Sequence, residues 1–124
     1  MDAEAAVRAL VAAINARDVG RLVDLAAPDH RFIDAHGGVV AANKLEAAWT
    51  GYFAFMPRYG VEIDQILCAG DTAAVFGQAW GVLDLARPEA TAWRRPGAWR
   101  VVVAYGKVAL WQVYVDTKAV FDLL

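Results

Sequence analysis

Trp99-Arg100-Val101-Val102-Val103-Ala104-Tyr105 and Val108-Ala109-Leu110-Trp111-Gln112-Val113-Tyr114-Val115, joined by Gly106-Lys107, decide the fold. Both runs are rich in β-branched and aromatic residues and the glycine between them suits a tight turn, so they predict a closing β-hairpin. Towards the N-terminus, residues 72–86 form another long β-like run. Residues 58–69 begin in alternation, with Val61 and Ile63 against Glu62 and Asp64, and turn at Gly70-Asp71. The Pro- and Arg-containing stretch 87–97 is expected to be a loop or ragged hairpin. After Pro57 no helical period returns until Lys118 to Leu124, which fits a short helix packing back on the domain.

The N-terminal half has a different rhythm. Val7, Leu10, Val11 and Ile14 fall on one face of a helix over residues 3–16, with Glu4, Arg8 and Asn15 elsewhere. Asp18 follows as the cap of a second helix through Leu22, Val23 and Leu25, ended by Pro28. His30 to His36 alternates as a strand, closed by a Gly37-Gly38 turn. Asn43 is expected to cap a third helix, whose Leu45, Trp49, Tyr52, Phe53 and Met56 make an aromatic face before Pro57 stops it. Helices and strands segregate instead of alternating, so the class is α+β with a mainly antiparallel sheet.

The chain has 124 residues, a length that favours one domain over 1–124. Apolar residues make up 59%, including five Trp, five Phe and four Tyr, a heavy aromatic load for one small core. No apolar run reaches the roughly 20 residues of a membrane span. The acidic start, Met1-Asp2-Ala3-Glu4, lacks the form of an export signal, and the lone Cys68 suits a reducing compartment, so the cytoplasm is expected. The net charge of −2 offers no basic stripe for nucleic acid.

Asp18-Val19-Gly20 after the first helix, Phe32-Ile33-Asp34-Ala35-His36-Gly37-Gly38 on the first strand and Trp111-Gln112-Val113-Tyr114-Val115-Asp116 on the last give this element order a family likeness. The chain resembles the SnoaL-like, nuclear transport factor 2-like superfamily over nearly its whole length. That superfamily includes polyketide cyclases, ketosteroid isomerase, limonene-epoxide hydrolase and many non-catalytic binders. The resemblance implies a cone-shaped, cystatin-like α+β barrel, its curved sheet wrapped around three N-terminal-half helices and its mouth open to a ligand. It also implies dimerisation through the convex sheet face.

By this resemblance Asp34 matches the catalytic aspartate of ketosteroid isomerase and shares an inward face with Phe32. A carboxylate among Phe32, Trp49, Phe53 and Trp111 would be poorly solvated, which suits proton transfer. The other reading of Asp34 is an acceptor for backbone amides at its own turn. His36, and less directly His30, share that face, so an Asp34–His36 pair is a candidate acid/base. The rest of each named active site is missing. Ala13 stands where ketosteroid isomerase has a helix-one tyrosine, and Trp99 to Val103 where it has a protonated aspartate. Val113, Trp99 and Val101 replace the Asp-Arg-Asp set of the epoxide hydrolase. Three ligands on one strand cannot splay around a metal, so no metal or other cofactor is expected.

The expected ligand pocket comprises Phe32, Trp49, Tyr52, Phe53, Trp99, Trp111, Val113 and Val115. Val75, Gly77, Ala79 and Gly81 share the inward parity, and their small size either leaves cavity space or lets the strand bend. Phe76, Gln78 and Trp80, with Val102, Gln112 and Tyr114, fall on the outward face and form the expected homodimer interface. Arg87, Arg94, Arg95 and Arg100 are expected around a solvated loop, with Trp93 as a flap over the mouth. The function expected is binding of a hydrophobic cyclic or aromatic small molecule. Cofactor-independent isomerisation or aldol-type cyclisation with Asp34 as acid/base is one form of it. A non-catalytic binding or accessory domain with the same pocket is the other.

Overall fold

A computed structural model describes residues 1–124. Its elements run α1 (Ala3–Asn15), α2 (Val19–Leu25), β1 (Ala26–Ile33), β2 (Val39–Ala41), a 3-10 turn (Ala42–Lys44), α3 (Leu45–Phe55), β3 (Arg58–Ala69), β4 (Thr72–Val82), α4 (Pro88–Thr91), β5 (Ala92–Ala104), β6 (Lys107–Val115) and α5 (Lys118–Phe121). The strands form one six-stranded sheet in the order β2-β1-β6-β5-β4-β3. Every neighbouring pair is antiparallel except β1 with β6, which is parallel. The sheet is open, with β2 and β3 as its edges, rather than closed into a barrel.

Local chemistry sets the helix ends. Asp2 accepts a hydrogen bond from the Ala5 amide and Asp18 from the Arg21 amide, each satisfying an otherwise orphaned donor in a first turn. The predicted helix face of Val7, Leu10, Val11 and Ile14 is buried against the sheet, where Val75, Val101 and Trp99 meet it in one hydrophobic cluster. Asn15, on the polar side of the predicted helix, ties α1 to an edge strand. Its Oδ1 accepts from the Val61 amide at 2.8 Å and its Nδ2 donates to the Val61 carbonyl at 3.0 Å.

Several sequence expectations are corrected. α2 ends at Leu25, and Pro28 lies inside β1. β1 stops at Ile33, so Asp34 and His36 sit in the following turn and not on the strand. Asn43 is not a cap: it belongs to the 3-10 turn, and α3 starts at Leu45 without a side-chain cap. The short β2 edge was not anticipated.

The stretch 87–97 is largely ordered secondary structure, since β5 begins at Ala92 and pairs Trp93, Arg95 and Gly97 with Gly81, Ala79 and Gly77. Pro96 is tolerated because β6 ends opposite Gly97, leaving that part of β5 with a strand on one side only. The arginines are correspondingly dispersed. Arg87 pairs with Asp84 next to α4, Arg94 with Glu62 on the sheet, and Arg95 loosely with Asp116, while Arg100 stands exposed on β5.

The inward glycines of β4 open no cavity. A Cβ on Gly77 would lie 1.9 Å from the Glu62 carbonyl oxygen beside a bulge in β3. A Cβ on Gly81 would meet the Arg58 carbonyl at 2.7 Å and the Trp93 ring nitrogen at 2.8 Å. Both positions let backbone and indole approach closely.

Candidate functional site

The curvature of the sheet leaves a cavity of about 340 Å³ between α3, the inner strands and the C-terminal segment. It is lined by 19 residues, 16 of them hydrophobic. Contributions come from β1 (Phe32), α3 (Trp49, Tyr52), β6 (Trp111, Val113, Val115) and the turn bearing Asp34 and His36. Trp49 anchors the aromatic wall. Its ring meets Phe32 edge-on at 5.2 Å and Tyr52 at 6.3 Å, and Tyr52 in turn meets Tyr59 at 4.9 Å.

Two residues expected in the pocket lie outside its lining. Phe53 packs against Trp49 one helical turn away, ring centroids 5.3 Å apart, and is buried beneath the Arg17 guanidinium, 4.5 Å from its ring centroid. Arg17 also donates to the Phe53 and Met56 carbonyls, closing the C-terminus of α3. Trp99 lies a layer deeper, fully buried and stacked on Trp111 at 6.0 Å, with its indole nitrogen unpartnered.

The expected site residues account for fewer than half of the 19 that line the cavity. Tyr59 carries the same inward parity as Val61 on β3, a signal that was available. Trp93 is part of the wall and not a flap, and its Nε1 donates to Met56 Sδ at 3.3 Å. Thr117, Val120 and Phe121 complete the cavity from the C-terminal segment. Their role depends on how the chain folds back after β6, which no local pattern encodes.

Asp34 is occupied by its own turn. Its Oδ1 accepts from the His36 amide at 2.8 Å and from the Gly38 amide at 2.9 Å, while the Asp34 amide donates to the Gly38 carbonyl. Gly37 takes φ +85°, and a Cβ on Gly38 would come 2.6 Å from Asp34 Oδ2, so both glycines are required by this loop. His36 Nε2 lies 3.1 Å from Thr117 Oγ1, and its ring meets Phe121 edge-on at 5.4 Å. The histidine thus ties the turn to α5. His30 is buried below the cavity, its Nδ1–H donating to the Val108 carbonyl at 2.7 Å. Burial holds its imidazole below the usual value near 6.5, outweighing the Val108 carbonyl and Asp29, which pull it upward. No three His, Cys, Asp or Glu side chains are grouped to hold a metal ion.

On the opposite face, Phe76, Ala98 and Tyr114 form one rung of the sheet, and Trp80 and Gln78 follow Phe76 along β4. Phe76, Trp80 and Tyr114 are 43%, 37% and 52% exposed. Gln78, Val102 and Gln112 are half-buried on the same surface.

An open, curved, mixed sheet around N-terminal helices, with an apolar cavity at its mouth, is the architecture of the superfamily that the sequence resembles. The SnoaL-like domain family model matches residues 7–111, and the chain belongs to that family. A search against curated proteins finds no match.

Solved structures share the fold at low identity. A hypothetical protein with a ketosteroid isomerase-like fold from Catenulispora acidiphila, in complex with trimethylamine, superposes with a TM-score of 0.83 at 21% identity, covering 95% of this chain and 90% of that one. TerC co-crystallised with polyporic acid gives 0.82 at 18%, over 97% and 95% of the two chains. IdmH from Streptomyces antibioticus, a candidate polyketide cyclase, gives 0.81 at 18%, over 99% and 98%.

Proposed function

We propose that this SnoaL-like domain binds an apolar, ring-containing small molecule in the cavity beside α3, and that Asp34 serves the turn and not proton transfer. The carrying observation is the lining itself, 16 hydrophobic residues of 19 around about 340 Å³, a size in the range of small-molecule sites. A cavity so apolar gains little from water and much from a planar hydrocarbon surface. The complexes of one fold relative with trimethylamine and of another with polyporic acid support a ligand-holding role for a domain of this fold.

Against proton transfer stands the geometry of Asp34. Two amides hold its Oδ1, which commits that oxygen to the turn. What favours the isomerase or cyclase reading is position, because Asp34 and His36 both border the cavity. Asp34→Asn discriminates: turnover of any cyclic ketone that the substitution leaves undiminished rules out the acid/base role.

Binding is tested by quenching of tryptophan fluorescence with naphthalene-sized ring compounds, because Trp49, Trp93 and Trp111 border the cavity. Ala48 lines it from a half-buried helical position, so Ala48→Trp should fill the space and abolish the quench while the chain melts as before. Quenching that Ala48→Trp leaves intact places binding elsewhere and refutes the reading.

The outward patch around Phe76, Trp80 and Tyr114 supports a homodimer through the convex sheet face, since an aromatic surface of this kind is costly in water. The exposed free Cys68 fits a reducing compartment such as the cytoplasm, and no helix is long and apolar enough to cross a membrane.

A further inference from the structure

Most polar atoms around the cavity are engaged within the protein. Asp34 Oδ1 holds two amides, His36 Nε2 faces Thr117 Oγ1, and Trp93 Nε1 donates to Met56 Sδ. The hydroxyls of Tyr52 and Tyr59 differ. Neither is held by a hydrogen bond, and neither is sealed away from water. The rings come from separate elements, α3 and β3, and meet edge to face at 4.9 Å with 87° between their planes, so both belong to one patch of cavity wall.

Burial raises both phenols far above their ordinary value, and for Tyr52 the neighbouring Tyr59 oxygen adds to the effect. Both therefore stay protonated and keep an O–H to donate. A ligand with no acceptor would strip water from these groups and leave them unpaired, at a cost that selects against it. An anionic ligand is disfavoured in turn, because no lysine or arginine lines the cavity and an unpaired charge is expensive in such surroundings.

We infer that Tyr52 and Tyr59 together form the polar recognition point of the cavity, selecting ring compounds that carry a carbonyl or comparable neutral oxygen acceptor over hydrocarbons of the same shape. This rests on the cavity being a ligand site, as proposed above. The donors sit on the wall formed by α3 and β3, away from the Asp34 turn. The ligand's oxygen is therefore directed towards β3, and its rings towards Phe32 and Trp111.

The test compares 2-acetylnaphthalene with 2-ethylnaphthalene, titrated into the full chain and into Tyr52→Phe, Tyr59→Phe and the double variant by tryptophan quenching. Taking the ratio of affinities within each protein cancels the compounds' different hydration. The double variant should weaken the ketone about tenfold while leaving the hydrocarbon unchanged or tighter, with the single variants between. The carbonyl stretch of the bound ketone should lie at lower frequency on the wild-type chain than on the double variant. If both compounds shift by one factor and the carbonyl band does not move, the phenols are not the recognition point, even where Ala48→Trp still blocks binding. If neither compound binds the wild-type chain, the cavity reading fails and this inference with it. Each Phe variant removes only an oxygen, and a melting curve matched to wild type confirms that the fold is intact.

Discussion

Replacing Asp34 by alanine separates a turn-holding carboxylate from a catalytic one. Oδ1 accepts two amides, at 2.8 and 2.9 Å, and alanine leaves both to water. Hydrogen bonds to a charged acceptor contribute roughly 1.5–3 kcal/mol each when shielded, and partial solvation of this turn reduces the pair to about 1–2 kcal/mol. For a domain of this size the melting temperature should fall by roughly 4–10 °C. Asparagine keeps a neutral oxygen at the same place and should lose about half as much or less.

Gly38 supplies an internal control. Its added Cβ would meet Asp34 Oδ2 at 2.6 Å, so Gly38→Ala should be markedly destabilising in the wild type and milder once Asp34 is alanine. The two substitutions should therefore be non-additive by about 0.5 kcal/mol or more. Circular-dichroism melts of the four proteins measure this, and 2-acetylnaphthalene quenching of each reports the cavity. An Asp34→Ala chain that melts like wild type but no longer binds the ketone would refute the reasoning and return Asp34 to the ligand.

Other substitutions probe the scaffold and the second face. Gly77→Ala drives a Cβ to 1.9 Å from the Glu62 carbonyl and should cost about 3 kcal/mol or more, seen as a lowered denaturation midpoint or loss of soluble protein; a near-wild-type melt would show that the β3 bulge yields freely. Asn15→Ala orphans both main-chain groups of Val61 and should cost roughly 2–3 kcal/mol by urea titration, an outcome contradicted by a change below about 0.5. Trp80→Lys puts a charge in the outward patch and should convert a sedimenting dimer to monomer; an unchanged dimer moves the interface elsewhere.

His30 sets a pH dependence. Its folded-state value lies below the unfolded one near 6.5, so the unfolded chain takes up more protons as the pH falls through that range. Its stabilising contribution is present above about pH 6.5 and declines on acidification, by at most about 1.4 kcal/mol per pH unit, until the folded-state value is passed. His30→Gln should flatten that decline between roughly pH 7 and 5, and parallel curves for the two proteins would exclude the histidine as its source.

Much of the architecture was legible in the periodicities. The face of α1, the Asp18 cap and the closing hairpin follow from side-chain spacing and turn chemistry, which are local. The β5 extension through Arg94, Arg95 and Pro96 was not, because those residues are poor strand formers held in place by pairing with β4, a tertiary effect that overrides propensity. The site divides the same way. Phe32, Trp49 and Trp111 follow from parity and helical phase. Phe53 shares the aromatic face of α3 with Trp49 but is covered by Arg17, a partner 36 positions away, and does not line the cavity. Asp34 could be read as base or as turn acceptor from sequence alone, and only the direction of two amides distinguishes these roles.

The parallel seam between β1 and β6 also bears on time. It joins residues as distant as Ala26 and Val108, 82 positions apart, while the other long strands of the sheet pair with sequence neighbours. Closing so long a loop is entropically slow, so this seam is expected to form after the β3–β6 meander. The cavity draws its walls from both sides of the seam and cannot exist before it closes. A bound molecule should therefore lengthen the lifetime of the folded state without hastening its formation, and it should leave the refolding rate almost untouched while unfolding slows.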